Sequence, residues 1–153
     1  MKFDHNNISP LDSRYANKIP EFRKNFSEYS LIKIRFNIEI DWLIFLCTKL
    51  PKSFKPISKQ SVKKLELFKN GFNDQYVLKI KKIEATTNHD VKAVEYFIRD
   101  YFIKDKTLLG YTHLIHFGLT SEDINSLSYA YLVKNGITSV SYTHLRAHET
   151  QFD

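Results

Sequence analysis

TTNHDVKAVEYFIRDYF, running from Thr86 to Phe102, sets the fold class. Its first five residues are polar, and from there Val91, Val94, Ile98 and Phe102 recur at three- and four-residue steps, the buried stripe of an amphipathic helix. Ahead of the polar break, Val77, Ile80 and Ile83 line one face of a preceding helix that reaches about Ala85, and Asn73 is placed to cap its start. Two helices therefore meet at a polar elbow.

The same period extends in both directions. From Ser27 to about Leu50 the apolar residues Ile32, Phe36, Ile40, Leu43 and Leu46 mark a long helix, stopped by Pro51. Its β-branched content is high, so packing must hold it more than propensity does. A loop with Pro56 follows, then a lysine-rich helix near Val62 to Lys69 that Asn70-Gly71 closes in a C-cap pattern. Pro10, Pro20 and the turn-rich Asp12-Ser13-Arg14 make the first 20 residues an extended arm. Beyond Lys104-Asp105-Lys106 and Gly110, Thr120 and Asp123 stand at capping-box spacing and open a helix through Ile124, Leu127 and Tyr131. Gly136 either ends that helix or sits inside a longer one. With no internal repeat and no strand-period run, the expected fold is all-α.

Composition narrows the function classes. At 153 residues with 42% hydrophobic, 26% charged, four Gly and four Pro, the chain has the makeup of a folding domain rather than a low-complexity or disordered segment. The single cysteine, Cys47, excludes an internal disulfide framework and a multi-cysteine zinc site. Its longest apolar stretch, Ile38 to Leu46, is broken by Glu39 and Asp41 and is too short to span a bilayer. MKFDHNNISP has no apolar h-region, so no secretory signal is expected and the cytoplasm is the default location. The net charge of +6 comes from scattered lysines, as on solvated helix faces. A basic helical binding module for nucleic acid or a partner protein is the alternative reading, but no helix concentrates an Arg/Lys stripe with base-reading side chains.

At the carboxyl end the composition changes abruptly. Residues 140–150, VSYTHLRAHET, resemble at every position the translation of a transposase-type sequencing-library adapter, with Gln151-Phe152-Asp153 as translated index sequence. Residues 139–153 are accordingly expected to be a non-native tail on a reading frame interrupted near residue 139. On that reading the i, i+4 pair His144 and His148 has no bearing on metal binding.

Three polar clusters sit where a helix begins or a turn bends, the places where N–H groups and side chains converge on an anion. They are SPLDSRY (Ser9 to Tyr15), TTNHD (Thr86 to Asp90) and HFGLTSED (His116 to Asp123). Arg14 offers a fork for a phosphate, with the Tyr15 hydroxyl beside it. Asn88, His89 and Asp90 put a neutral amide, a titratable ring and a carboxylate side by side, and Thr120-Ser121 opens a helix. Each cluster alone also reads as ordinary capping or surface polarity.

In this order, SPLDSRY, TTNHDVKAVEYF (Thr86 to Phe97) and HFGLTSEDINSLSYA (His116 to Ala130) resemble the amino-terminal third of the bacterial-type adenylosuccinate lyase family, within the fumarase/aspartase superfamily. The resemblance runs from about Ile8 to Lys134 and includes FSEYSLIKIRFNIEIDWL (Phe26 to Leu43). One departure is Ser13, where that branch commonly has glycine. The resemblance implies an amino-terminal helical domain over residues 1–111 and the start of a central helical bundle over 112–138. It implies that Arg14 and Tyr15 hold the nucleotide phosphate, that Asn88, His89 and Asp90 contact substrate at the elbow, and that Thr120 and Ser121 bind the succinyl carboxylates. The implied reaction converts adenylosuccinate to AMP and SAICAR to AICAR. A base takes a proton from the succinyl carbon, the C–N bond breaks, an acid protonates the departing nitrogen, and fumarate leaves. The resemblance implies no cofactor, no metal, no nucleic-acid or membrane partner, and a homotetramer in which three subunits build each site. The family's catalytic serine and histidine would lie beyond residue 139, so no catalytic residue is assigned within this chain and it is expected to be inactive alone. Its last helix is expected to expose Ile124, Leu127 and Tyr131 and to favour aggregation.

Overall fold

The computed structural model describes residues 9–149, with the backbone alone at residues 140 and 142–149. The side chains of His144 and His148, residues 1–8 of the arm and residues 150–153 of the tail lie outside that description. The described residues are helical, without strands: α1 (Pro20–Phe26), α2 (Glu28–Lys49), α3 (Lys59–Asn70), α4 (Asp74–Thr87), α5 (Asp90–Ile103) and α6 (Ser121–Glu149), with short 3-10 helices at Pro10–Asp12 and Leu109–Leu114.

Helix α2 is the centre, touching each of the other five α-helices. Ser27 caps it by accepting from the Ser30 N–H, and Ile32, Phe36, Ile40, Leu43, Leu46 and Cys47 are buried. Around Phe36 an aromatic cluster closes the core: Phe68 at 4.8 Å edge-on, Phe72 at 5.1 Å and Phe97 at 6.0 Å between ring centroids. Tyr101 stacks on Phe68 at 3.6 Å. Each such pair adds roughly 0.5–1.5 kcal/mol beyond area burial. Helices α4 and α5 pack against each other as an α-hairpin hinged at Asn88-His89.

Several boundaries follow the sequence and several do not. Asn73 caps α4, accepting from the N–H groups of Gln75 and Tyr76, and Val91, Val94, Ile98 and Phe102 are the buried stripe of α5. The first 20 residues are not an extended arm where they are described: Pro10–Asp12 form a 3-10 helix, turns follow over residues 13–18, and a separate helix opens ahead of Ser27. Pro20 takes the first position of α1, where its missing N–H costs nothing. Gly71 follows α3 but at φ −79°, so it does not use the left-handed conformation of a glycine cap. Gly136 lies buried inside α6, and a Cβ there would stand 2.3 Å from the Phe26 ring, so the absent side chain lets α1 dock. Ile124 corrects the expected exposed stripe: it is 1% exposed, whereas Leu127 and Tyr131 are each 46% exposed. Among the described residues no helix is long and apolar enough to cross a membrane.

Candidate functional site

The α4–α5 elbow is built by one residue in an uncommon conformation. Asn88 takes φ 51°, ψ 35°, and its N–H closes α4 on the Glu84 carbonyl at 2.8 Å. Asparagine tolerates this left-handed region better than most residues. The chain then reverses, and His89 becomes the N-cap of α5, its Nδ1 accepting from the Lys92 N–H at 3.3 Å. As an acceptor that Nδ1 carries no proton, which leaves Nε2 as the N–H of the neutral ring.

Asp90 is held by the interior. Its Oδ2 lies 2.8 Å from Nη1 of Arg35, a guanidinium only 5% exposed on α2, and its Oδ1 accepts from the Val91 N–H at 2.8 Å. Burial pushes the Asp90 carboxyl upward, but the Val91 N–H and Arg35 outweigh it and keep it below the ordinary carboxylate value. Arg35 Nη2 also donates to Asn125 Oδ1 on α6 at 2.8 Å. One buried arginine thus fixes the starts of α5 and α6 relative to each other.

The turn before α6 bends at His116 and Gly118, with φ 62° and 69°. Two contacts from α2 hold it: Trp42 Nε1–H donates to the Phe117 carbonyl at 2.9 Å, and buried Glu39 meets His116 Nδ1 at 2.6 Å. The hydrogen bond to Glu39 raises the His116 pKa above its ordinary value, against the opposing effect of burial. Thr120 and Asp123 form the capping box. Asp123 Oδ2 accepts from the Thr120 N–H at 2.7 Å and from its hydroxyl at 2.8 Å, while the Asp123 N–H reaches Thr120 Oγ1 at 3.2 Å. These bonds from Thr120 hold the Asp123 carboxyl below its ordinary value.

Both turns open onto one cavity of about 450 Å³, lined by Thr87 and His89 from the elbow, Val91, Lys92, Glu95 and Tyr96 from α5, and His116 and Ser121 from the second turn. Of the sequence-derived candidates, His89 and Ser121 line it. Asn88 shapes the elbow, Asp90 is anchored to Arg35, and Thr120 turns its hydroxyl to Asp123. Arg14 and Tyr15 are elsewhere, in the turns after Pro10–Asp12, with both side chains exposed and the guanidinium carbon 5.3 Å above the Tyr15 ring. Neither borders the cavity.

Sequence reasoning did not single out Lys92, Glu95, Tyr96, His116, Arg35 or Glu39 as site residues. The signal available was charge on a buried face: Arg35 and Glu39 flank Phe36 and Ile40 within the α2 stripe, and Glu95 adjoins Val94. Glu95 is 2% exposed and takes Lys92 at 2.8 Å and Arg99 at 2.9 Å. The wall therefore offers one ammonium paired to the Glu95 carboxylate, two imidazoles, the hydroxyls of Thr87, Tyr96 and Ser121 and the start of α6, a set whose donors suit an anion with more than one acid group. No group of three or more His, Cys, Asp or Glu side chains able to hold a metal ion occurs among the described residues.

No protein-family model matches the chain. It is 38% identical over 140 residues to the adenylosuccinate lyase of Escherichia coli (strain K12), covering 91% of this chain and 31% of that protein. It is 42% identical over 131 residues to that of Haemophilus influenzae, covering 82% and 28%, and 41% identical over 137 residues to that of Legionella pneumophila (strain Corby), covering 88% and 30%. The chain spans less than a third of the length of these curated relatives. Over four-fifths or more of its residues, this chain is a homologue of the adenylosuccinate lyases.

Proposed function

We propose that this chain is the amino-terminal part of an adenylosuccinate lyase, contributing a substrate-binding wall to an enzyme that releases fumarate from adenylosuccinate and from SAICAR, giving AMP and AICAR. The observation that carries this is the convergence of His89 and Ser121, from two separate polar turns, on one cavity. A dicarboxylate with a phosphorylated nucleotide needs several preorganised donors, and helix starts and imidazoles supply them without further reorganisation. His89 and Ser121 touch substrate directly. Asn88, Asp90 and Thr120 act at the same turns, Asp90 with Arg35 behind it and Thr120 through the helix start it caps. Arg14 and Tyr15 grip the phosphate from the arm, and their distance from the cavity wall is consistent with a site shared between subunits of a homotetramer. Residues 1–111 form the amino-terminal domain, residues 112–138 the beginning of the central bundle, and residues 139–153 derive from adapter sequence. The enzyme acts in the cytoplasm with no cofactor, metal, membrane or nucleic-acid partner, and this chain alone does not turn over. The homology favours this reading over a basic binding module, which steeply salt-dependent duplex binding would revive.

The test is a chimera in which residues 9–138 replace the homologous segment of the Escherichia coli enzyme. Loss of adenylosuccinate absorbance at a rate within about tenfold of the parent is expected, a difference of about 1.4 kcal/mol in barrier. A folded, assembled chimera with no elimination activity would refute the proposal.

A further inference from the structure

Two imidazoles line the cavity, and their Nδ1 atoms are held in opposite roles. His89 Nδ1 accepts from a backbone N–H, whereas His116 Nδ1 faces the carboxylate of Glu39. A carboxylate oxygen only accepts, so Nδ1 of His116 carries a proton in both the neutral and the cationic ring. Glu39 is itself 1% exposed and comes from the middle of α2, where a buried carboxylate is costly unless it is hydrogen-bonded. Its Oε1 is partnered by His116, while its Oε2 is buried without a hydrogen bond, so His116 is the contact that holds this carboxylate.

We propose that Glu39 is a positioning residue: by fixing Nδ1–H of His116 it turns Nε2 toward the cavity as the atom that meets a carboxylate of the bound dicarboxylate. This rests on the functional reading above. The geometry is over-determined, because His116 sits at φ 62° and the next carbonyl, of Phe117, is tied to Trp42. Those two features hold the backbone beneath the ring, and the hydrogen bond to Glu39 sets the ring's own orientation. The charges around it come from three helices: Glu39 on α2, Lys92 and Glu95 on α5, and Asp123 on α6. Lys92 is paired with Glu95, and Asp123 with the Thr120 hydroxyl and N–H, so Glu39 is the carboxylate in direct contact with the ring. When the ring is protonated, Nε2–H donates to the ligand. When it is neutral, Nε2 is a lone pair and repels it. Ligand affinity should accordingly fall as pH rises through the His116 titration.

The experiment follows the imidazole nitrogens of His116 by ¹⁵N NMR in the whole chain and in Glu39→Gln, alone and titrated with fumarate from pH 5.5 to 9. In the native chain Nδ1 should stay protonated throughout, and fumarate affinity should drop at least tenfold as the ring loses its charge. In Glu39→Gln the ring should titrate at lower pH, and the midpoint of the affinity profile should move down with it. Glu39→Asp, which keeps the charge, should restore both in part. A native ring with its neutral proton on Nε2, or a Glu39→Gln affinity reduced equally at every pH with the midpoint unmoved, would overturn the positioning role. Absence of fumarate binding at any pH, with Nδ1 protonated as expected, would instead count against the functional reading, as it would remove the ligand and leave the pair.

Discussion

Helices α5 and α6 begin at matching polar turns and diverge from there. The 14 residues of α5 bury Val91, Ala93, Val94, Phe97, Ile98 and Phe102, a face wide enough to meet α2 and α4 at once. The 29 residues of α6 bury a single four-step row, Ile124, Ser128, Leu132 and Gly136, among the described side chains. A second row on α6, Leu127 and Tyr131, borders an open groove with Ile38, Trp42 and Phe45 of α2. The contrast teaches that the cavity wall belongs to a closed body, while Leu127 and Tyr131 leave an apolar row of α6 uncovered. One row docks α6 on the body, and the second stays exposed along the groove.

The largest effect that would sharpen this contrast is in the closed body. Phe36→Ala removes a fully buried ring at the hub of the aromatic cluster and is expected to cost about 3–5 kcal/mol in chemical denaturation. Leu127→Ser, on the open row, should stay within about 0.5 kcal/mol and raise the concentration at which the chain aggregates. Equal losses at the two positions would break the distinction. Next comes the joint between the regions: Arg35→Met should cost about 1–3 kcal/mol by removing charged hydrogen bonds to Asp90 and Asn125, and should shift the amide signals of both helix starts.

The pH dependence separates two ion pairs in the closed body. His116 has a raised folded-state pKa, so its stabilisation is complete below its unfolded value of about 6.5 and is lost as pH rises through the folded value. Asp105 is held down to about 2, first by its hydrogen bond from Lys64 and then by those from Thr107. Its contribution is present above about 3.8 and disappears as pH falls toward 2. Thermal melts of the native chain should decline at both edges, and Glu39→Gln should flatten the alkaline edge alone. Smallest of all is Gly136→Ala, where improved helix propensity of about 1 kcal/mol opposes displacement of the half-exposed Phe26 ring. Global stability should change by less than about 1 kcal/mol, while the Phe26 ring signals move. An unfolded variant would show that α1 docking is integral to the body.

Periodicity made α2 and α5 legible because each buries a stripe wide enough to repeat, and α4 because half-buried Val77 and Ile83 share a face with buried Ile80. It left α1 unread, since seven residues opened by Pro20 carry too short a pattern and none of them is buried. The Thr120–Asp123 box was readable because a cap is a local rule. Asp90 was named from its place at the elbow, but its anchoring was not readable, since its partner Arg35 lies 55 positions earlier and meets it only after α2 packs on α5. The same holds for Glu39 and His116, which spacing along the chain does not connect. Ile124 and Leu127 are neighbours on one helical face, and only the docking of α6 decides which of them is covered.

The most direct measurement is a ¹H–¹⁵N map of the whole chain titrated with fumarate near pH 6. Shifts concentrated at His89, Lys92, His116 and Ser121, with the groove at Trp42 and Tyr131 unmoved, are the expected result. Shifts at that groove instead, or none at the two polar turns, would contradict the assignment of binding to the closed body.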